Sequence, residues 1–336
     1  MTKKFFTMLI LMLFSISLVG CSSLFSNDNN SNGKGVINEI IIVEYRVNYY
    51  IDGELKYYAT NYENQVIKRP DADPIKENHT FLGWYSDDGE LYDFSTPLKK
   101  SFSLHAKFQM DYTKILNLIS TEYMSTNVEV RVKHWNSGFL GLGEIDVMSG
   151  SGSGVIFADA NGKYYVLTNN HVVYGHNRKY HEYKIQDYKG NTYTASLFFG
   201  SAKAEYDLAT LGFTKGSEKL VVSKIAKKNP ILNEEVISIG QPGGQNNAIT
   251  FGVIQQYRTA TLINTPIEES NVKFDVIKHS APGAQGSSGG VLMNSSFEIV
   301  GINYAGPANT NFNDSIYGLS IPVEKIKEYL DLYIYE

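Results

Sequence analysis

Gly286-Ser287-Ser288-Gly289-Gly290-Val291-Leu292 is the stretch around which this 336-residue chain is read. A serine set directly before two glycines and an apolar run describes a hydroxyl held on a sharp turn at the mouth of a strand. Such a hydroxyl is a poor nucleophile until a neighbouring base takes its proton. The base, a histidine, needs a carboxylate on its other ring nitrogen to fix the tautomer. Both residue types stand upstream in strand-like surroundings. Tyr164-Tyr165-Val166-Leu167-Thr168-Asn169-Asn170-His171-Val172-Val173 puts His171 just past the end of an apolar run. Tyr206-Asp207-Leu208-Ala209-Thr210-Leu211 opens another run with a lone aspartate, 36 residues after His171 and 81 before Ser288. Taken singly, each is more simply a turn serine, a turn aspartate or a structural histidine. Together they are a candidate nucleophile, base and orienter, and the turn exposes the Gly286 and Ser288 N–H groups as candidate donors to an oxyanion.

The surroundings of these residues are β-type. Val128-Glu129-Val130-Arg131-Val132 alternates strictly, as a half-buried strand does. From there to Pro322, short apolar runs alternate with Gly, Asn and Pro clusters, the pattern of an antiparallel barrel or sandwich. The tail from Val323 to Tyr335 places Ile326, Tyr329, Leu330, Tyr333 and Ile334 on one helical face and predicts a closing helix. The order His, Asp, Ser is that of the chymotrypsin fold; subtilisins and α/β-hydrolases run in other orders. The expected fold class is therefore mainly β, with a two-barrel chymotrypsin-like domain.

The strings SGSGVIF (151–157), YYVLTNNHVV (164–173), YDLATLGF (206–213), VISIGQPGG (236–244) and GSSGGVL (286–292) resemble the HtrA/Deg-type trypsin-like serine proteases. The resemblance covers about residues 126–330. It implies His171 as general base, Asp207 as its orienter, Ser288 as nucleophile, and Gly286 and Ser288 as oxyanion-hole donors. Ser287 is set aside because the motif's reactive serine directly precedes the Gly-Gly pair. The implied activity is that of a serine endopeptidase working through an acyl-enzyme on protein or peptide substrates.

Two departures bear on specificity. Ser280 stands where the family pattern has an aspartate, and Pro282 falls where trypsins carry a pocket aspartate, so cleavage after Lys or Arg is not expected. Gly301-Ile302-Asn303-Tyr304-Ala305-Gly306 also resembles the staphylococcal glutamyl endopeptidases, which have a histidine at the position of Asn303. Pro282, Asn303, Tyr304 and Ala305 are the expected pocket residues, taking a small or aliphatic side chain. The chain stops soon after the closing helix, so no PDZ domain is expected.

The N-terminus reads as an address. Lys3 and Lys4 precede an apolar run from Phe5 to Val19, too short for a spanning helix of about 20 residues but fitting an export signal. Leu18-Val19-Gly20-Cys21 resembles the lipobox of bacterial lipoproteins, and Cys21 is the single cysteine of the chain. The resemblance implies lipid attachment at Cys21 and an extracytoplasmic, membrane-anchored protein. Residues 22–35 are almost all Ser, Asn, Asp and Gly, a composition that does not bury enough surface to fold. They read as a tether.

Between tether and protease lies a Tyr-rich β segment. Asp52-Gly53 signals a tight hairpin turn, and Pro70 and Pro74 interrupt the middle. Phe81-Leu82-Gly83-Trp84-Tyr85 with Tyr92-Asp93-Phe94 resembles the Listeria–Bacteroides repeat, also called the internalin-type B repeat. That family implies a compact β-grasp-like surface module, a spacer or an interaction module, with a buried Trp84. Ile115, Leu116, Ile119 and Tyr123 predict a short linking helix. The division expected is 1–20 signal, 21–39 lipidated cysteine and tether, 40–110 repeat module, 111–125 linker helix and 126–336 protease domain.

Composition excludes other classes. With 30 basic and 35 acidic residues and no block of like charge, a nucleic-acid surface is not indicated. One cysteine excludes a disulfide framework. His171, His176 and His181 recur at five-residue spacing, but loop-forming neighbours and the lack of a His-Glu-x-x-His pattern argue against zinc. Gly240–Gly244 lacks the Gly-Lys ending of a phosphate loop. No cofactor or metal is called for. The rival to an enzyme is a non-catalytic surface-binding or chaperone-like protein on a protease scaffold.

Overall fold

The computed structural model describes residues 42–336 except 242–246, 261, 264, 308–309, 311–315 and 336. Cys21, the apolar run 5–19 and the tether lie outside the described residues, as does most of Gly240–Gly244. The described chain is predominantly β, in three sheets.

The first sheet holds β1 (Glu44–Ile51), β2 (Glu54–Tyr62), β3 (His79–Ser86) and β4 (Phe102–Met110) in the order β2-β1-β4-β3. β1 and β2 form a hairpin on Asp52 and Gly53, both at positive φ (49° and 78°), the turn that matches strand twist. β1 and β4 run parallel in the centre. The connection from β2 to β3 contains no helix; Pro70 and Pro74 fall within it, and proline removes the donors that a helix needs. Val47, Tyr49, Ile67, Trp84, Leu98 and Leu104 make its core. Trp84 is 1% exposed and meets Tyr49 edge-on at 4.9 Å between ring centroids. Trp84→Ala is expected to cost about 3–5 kcal/mol of this core, enough to melt a sheet of this size. Loss of near-ultraviolet dichroism and faster proteolysis between residues 44 and 110 would report it.

β4 leads directly into α1 (Tyr112–Leu118), capped by the Asp111 carboxylate on Lys114 N. The helix then widens into a π-turn over Ile119–Tyr123 and tightens to a 3-10 turn over Met124–Thr126. Ile115 and Ile119 are buried, whereas Leu116, in the regular part of α1, is 43% exposed, so Leu116 is not on the packed face that the spacing gave it. Glu235 ties the junction down. Its carboxylate accepts from Met110 N and from Tyr112 Oη, each at 2.7 Å.

Two closed six-stranded barrels follow. The first has β5 (Asn127–Ser137), β6 (Glu144–Ala160), β7 (Lys163–Thr168), β8 (Tyr180–Gln186), β9 (Thr192–Leu197) and β10 (Ala209–Thr214), arranged β10-β7-β6-β5-β8-β9. The second has β11 (Glu235–Gly240), β12 (Ala248–Thr259), β13 (Asp275–His279), β14 (Val291–Met293), β15 (Ile299–Ala305) and β16 (Gly318–Pro322), arranged β11-β12-β13-β16-β15-β14. A helical turn, α2 (Asn170–Val173), follows β7, and α3 (Val323–Tyr333) closes the chain with Val323, Ile326, Tyr329 and Leu330 buried. One apolar cluster joins the barrels, with Val155, Leu167 and Leu208 of the first against Ile237, Ile239 and Val291 of the second.

Candidate active site

The register of β7 and β10 brings two of the three residues together. Ala209 lies opposite Thr168, so the residues just before β10 and just after β7 emerge at the same barrel edge. Asp207 sits there at φ +48°, a left-handed backbone that aspartate tolerates better than most side chains. Its own N–H donates to Ala204 O and its carbonyl accepts from Asn169 Nδ2 at 2.9 Å, which holds the strained turn. The fully buried carboxylate accepts twice from one residue, from His171 N at 2.9 Å and from His171 Nδ1 at 2.6 Å. Backbone and ring of His171 are thereby oriented by a single charge. With Nδ1–H committed, Nε2 carries the lone pair.

Ser288 comes from the second barrel, on the loop before β14. That loop is pinned by Gly289 N to Asn303 O at 2.9 Å and Asn303 N to Gly290 O at 2.8 Å. Gly286 and Gly289 both take positive φ, 96° and 82°. The first barrel also reaches across: Ser153 N donates to Ser288 O at 2.7 Å and Ser153 Oγ to Gly286 O at 2.8 Å. The Gly-Ser-Gly run 152–154 is thus a clasp for the opposite loop, and its glycines are needed for close approach. A Cβ on Gly152 would stand 3.0 Å from Ser288 O and under 3.0 Å from Val172. Among the described residues neither Gly286 N–H nor Ser288 N–H has a hydrogen-bond acceptor. Ser288 Oγ donates to Tyr304 O at 3.4 Å, and no hydrogen bond joins it to His171.

His171, Gly286 and Ser288 line one cleft of about 300 Å³. The walls on the first-barrel side include Met148, Gly150, Tyr174 and His176; those on the second include Ser238, His279, Asn303, Ala305 and Gly318.

Residues 152–302 match the family model of the trypsin-like peptidase domain, and residues 45–107 that of the Listeria–Bacteroides repeat domain. Over 160 residues, 47% of this chain and 34% of the relative, the sequence is 36% identical to the serine protease Do-like HtrA of Bacillus subtilis (strain 168). Over 181 residues it is 32% identical to the Do-like HtrB of the same organism, covering 53% of this chain and 37% of that protein. The active form of the Rv3671c protease from M. tuberculosis shares the fold, with a TM-score of 0.50 at 18% identity over 66% of this chain and 86% of that one. Residues 152–302 thus match the trypsin-like peptidase domain and are similar to the HtrA proteases. The chain spans about a third of the length of the curated relatives it matches.

Two of the four expected pocket residues of the peptidase domain line the cleft, Asn303 and Ala305. The other two stand outside its lining. Pro282 is exposed outside the lining, its carbonyl accepting from Thr250 Oγ1 at 3.3 Å. Tyr304 turns its ring into the core at 2% exposure and presents only its carbonyl. Ser238 and His279 were not singled out by the sequence, because a serine within an apolar strand and a histidine at a strand end carry no local signal. They meet through Asn303, whose amide exchanges hydrogen bonds with Ser238 Oγ and accepts from Ser320 Oγ, itself 3.0 Å from His279 Nε2. The floor of the cleft is therefore polar.

The regularly spaced histidines diverge. His171 goes to Asp207, His176 to Glu269 at 3.1 Å, and His181 to His134. Among the described residues no three His, Cys, Asp or Glu side chains are grouped to hold a metal ion.

Burial pushes His171 towards the neutral form, but the Asp207 charge, its hydrogen bond and the more distant Glu269 charge overcome this and raise its pKa above 6.5. Burial dominates at His279, against a backbone hydrogen bond with Ala281 that opposes it, and at His134, where His181, Arg178 and His176 add to it, and both fall to about 4. A histidine whose folded pKa is lowered leaves the unfolded chain binding more protons between pH 6.5 and 4, so stability falls as pH drops through that window. The loss is expected to reach up to about 3 kcal/mol for each of the two. Urea unfolding at pH 7 and pH 4.5 measures it, and His279→Phe should flatten the dependence.

Proposed function

We propose that the chain is a serine endopeptidase with His171 as general base, Asp207 as its orienter and Ser288 as nucleophile. The observation that carries this is the buried Asp207 carboxylate gripping both the backbone and Nδ1 of His171 beside the cleft that holds Ser288. Ser288 Oγ attacks the scissile carbonyl carbon as its proton passes to His171 Nε2. The oxyanion forms where the acceptor-free N–H groups of Gly286 and Ser288 point, and such donors stabilise it in the transition state. His171 then gives the proton to the departing amine, leaving an acyl-enzyme on Ser288. Water, deprotonated by His171, releases the acid and restores the hydroxyl.

The division into a signal (1–20), lipidated Cys21 with tether (21–39), repeat module (40–110), linker (111–125) and protease (126–336) belongs to the same proposal. Among the described residues no helix is long and apolar enough to cross a membrane. An export signal and a Cys21 lipid place the protein outside the cytoplasm on the membrane, with the repeat module offering a surface to a ligand. Of the relatives, one from Buchnera aphidicola is described as a probable periplasmic serine endoprotease, in line with that placement.

The test is hydrolysis of a casein-like substrate across pH. The expected profile of kcat/KM rises with a midpoint above 6.5, because His171 must be neutral to act and its pKa is raised. A folded protein that cleaves nothing at any pH contradicts the proposal.

A further inference from the structure

The segment Pro266–Val272 connects β12 to β13 and touches all three loops of the candidate site. Asn170, the neighbour of His171, donates from Nδ2 to Glu268 O at 3.1 Å and Glu269 O at 2.8 Å. Asn271 N donates to Ala204 O at 2.7 Å, the same carbonyl that receives Asp207 N. Ser270 Oγ lies 3.2 Å from Tyr304 Oη, and Tyr304 O receives Ser288 Oγ. One strap from the second barrel thus holds the base, the orienter and the nucleophile's acceptor.

The strap also carries charge to the site. The Glu269 carboxylate, 13% exposed, lies 3.1 Å from His176 Nε2 on the cleft wall. Resting on the protease reading above, we propose that Glu269 is a positioning residue of the active site: its backbone carbonyl docks the His171 turn through Asn170, and its carboxylate, held on His176 at the cleft wall, is a second negative charge that with Asp207 sets the pH at which His171 becomes a base. The groups that face Glu269 are His176 and His171 from the loops of the first barrel, Asp207 from the β10 edge, and its neighbour Glu268. His171 faces Asp207 and Glu269. His176 faces Glu269, and its charge also acts on His134, together with those of His181 and Arg178. Burial raises the Glu269 carboxyl, against the pull of His176 and His171. In its charged form it favours the imidazolium of His171 through the charge alone, with no hydrogen bond between them, and more weakly than Asp207 does.

The experiment follows the rate at which a fluorophosphonate labels Ser288 as a function of pH, in the full-length wild type, Glu269→Gln and Glu269→Asp. The same variants in a Ser288→Ala background give the His171 ring titration by NMR. Glu269→Gln keeps shape and removes charge, so both midpoints should move to lower pH by about 1 unit. Glu269→Asp keeps the charge and should restore most of the wild-type midpoint. A Glu269→Gln protein of unchanged fold whose midpoints coincide with wild type overturns the proposal, whatever happens to its maximal rate. A folded wild type that is never labelled overturns the protease reading instead, and the NMR titration still decides for or against Glu269.

Discussion

Asp207→Asn is expected to lower kcat/KM on a peptide substrate by about 10⁴-fold while leaving the fold in place. The carboxylate is fully buried and accepts from both His171 N and His171 Nδ1. An asparagine can keep the backbone bond through its oxygen, but its amide then faces Nδ1 with a donor. The ring answers by carrying its proton on Nε2, the atom that must receive the Ser288 proton. A factor of 10⁴ corresponds to about 5.4 kcal/mol of transition-state stabilisation, more than a neutral hydrogen bond supplies, because the developing imidazolium also loses its counter-charge. The loss should fall on kcat with KM little changed, and the acid limb of the profile should shift to lower pH. A loss of less than tenfold would mean that His171 is not oriented through Asp207.

Gly289→Ala is expected to remove activity through geometry. Gly289 sits directly after the nucleophile at φ +82°, and a Cβ there would stand 2.1 Å from Ser153 O and 2.3 Å from Thr168 Oγ1. Backbone cannot yield to such a contact, so the loop carrying Ser288 must move, at a cost of roughly 3 kcal/mol or more. Gly162→Ala is the control. It has a similar φ of +74° but nothing within 4 Å of the added carbon. It should cost only about 1–2 kcal/mol, the penalty of a left-handed alanine, and leave activity intact. Unfolding in urea and peptide hydrolysis on both variants separate the two effects. Equal losses in the two would show that backbone conformation alone, not the clasp from Ser153, holds the nucleophile loop.

The contrast between these glycines shows which parts of the site a sequence reader can reach. Asp52-Gly53 is local chemistry, and the turn it signals is present. The strand pattern after Val128 and the closing-helix face are periodicities, and both elements form as read. His171, Asp207 and Ser288, the proposed triad, are singled out by order and motif, not by distance. The remainder depends on contacts between residues far apart in the chain. Leu116 stays exposed because the core that covers Ile115 and Ile119 comes from residues far along the chain. Pro282 is exposed just outside the lining run 283–288, and the Tyr304 ring fills the core. Glu269 lies 98 residues from His171 and gives no local sign of its role. Ser153 gives no local sign that it reaches across to Gly286 and Ser288; only the structure shows it.

The central claim is that Ser288 is a nucleophile activated by His171. Mass spectrometry of the folded protein after exposure to a fluorophosphonate tests it most directly. The account predicts one adduct per chain, on the peptide containing Ser288, abolished in Ser288→Ala and strongly slowed in His171→Ala. An unlabelled wild type, or an adduct that persists in Ser288→Ala, would contradict it.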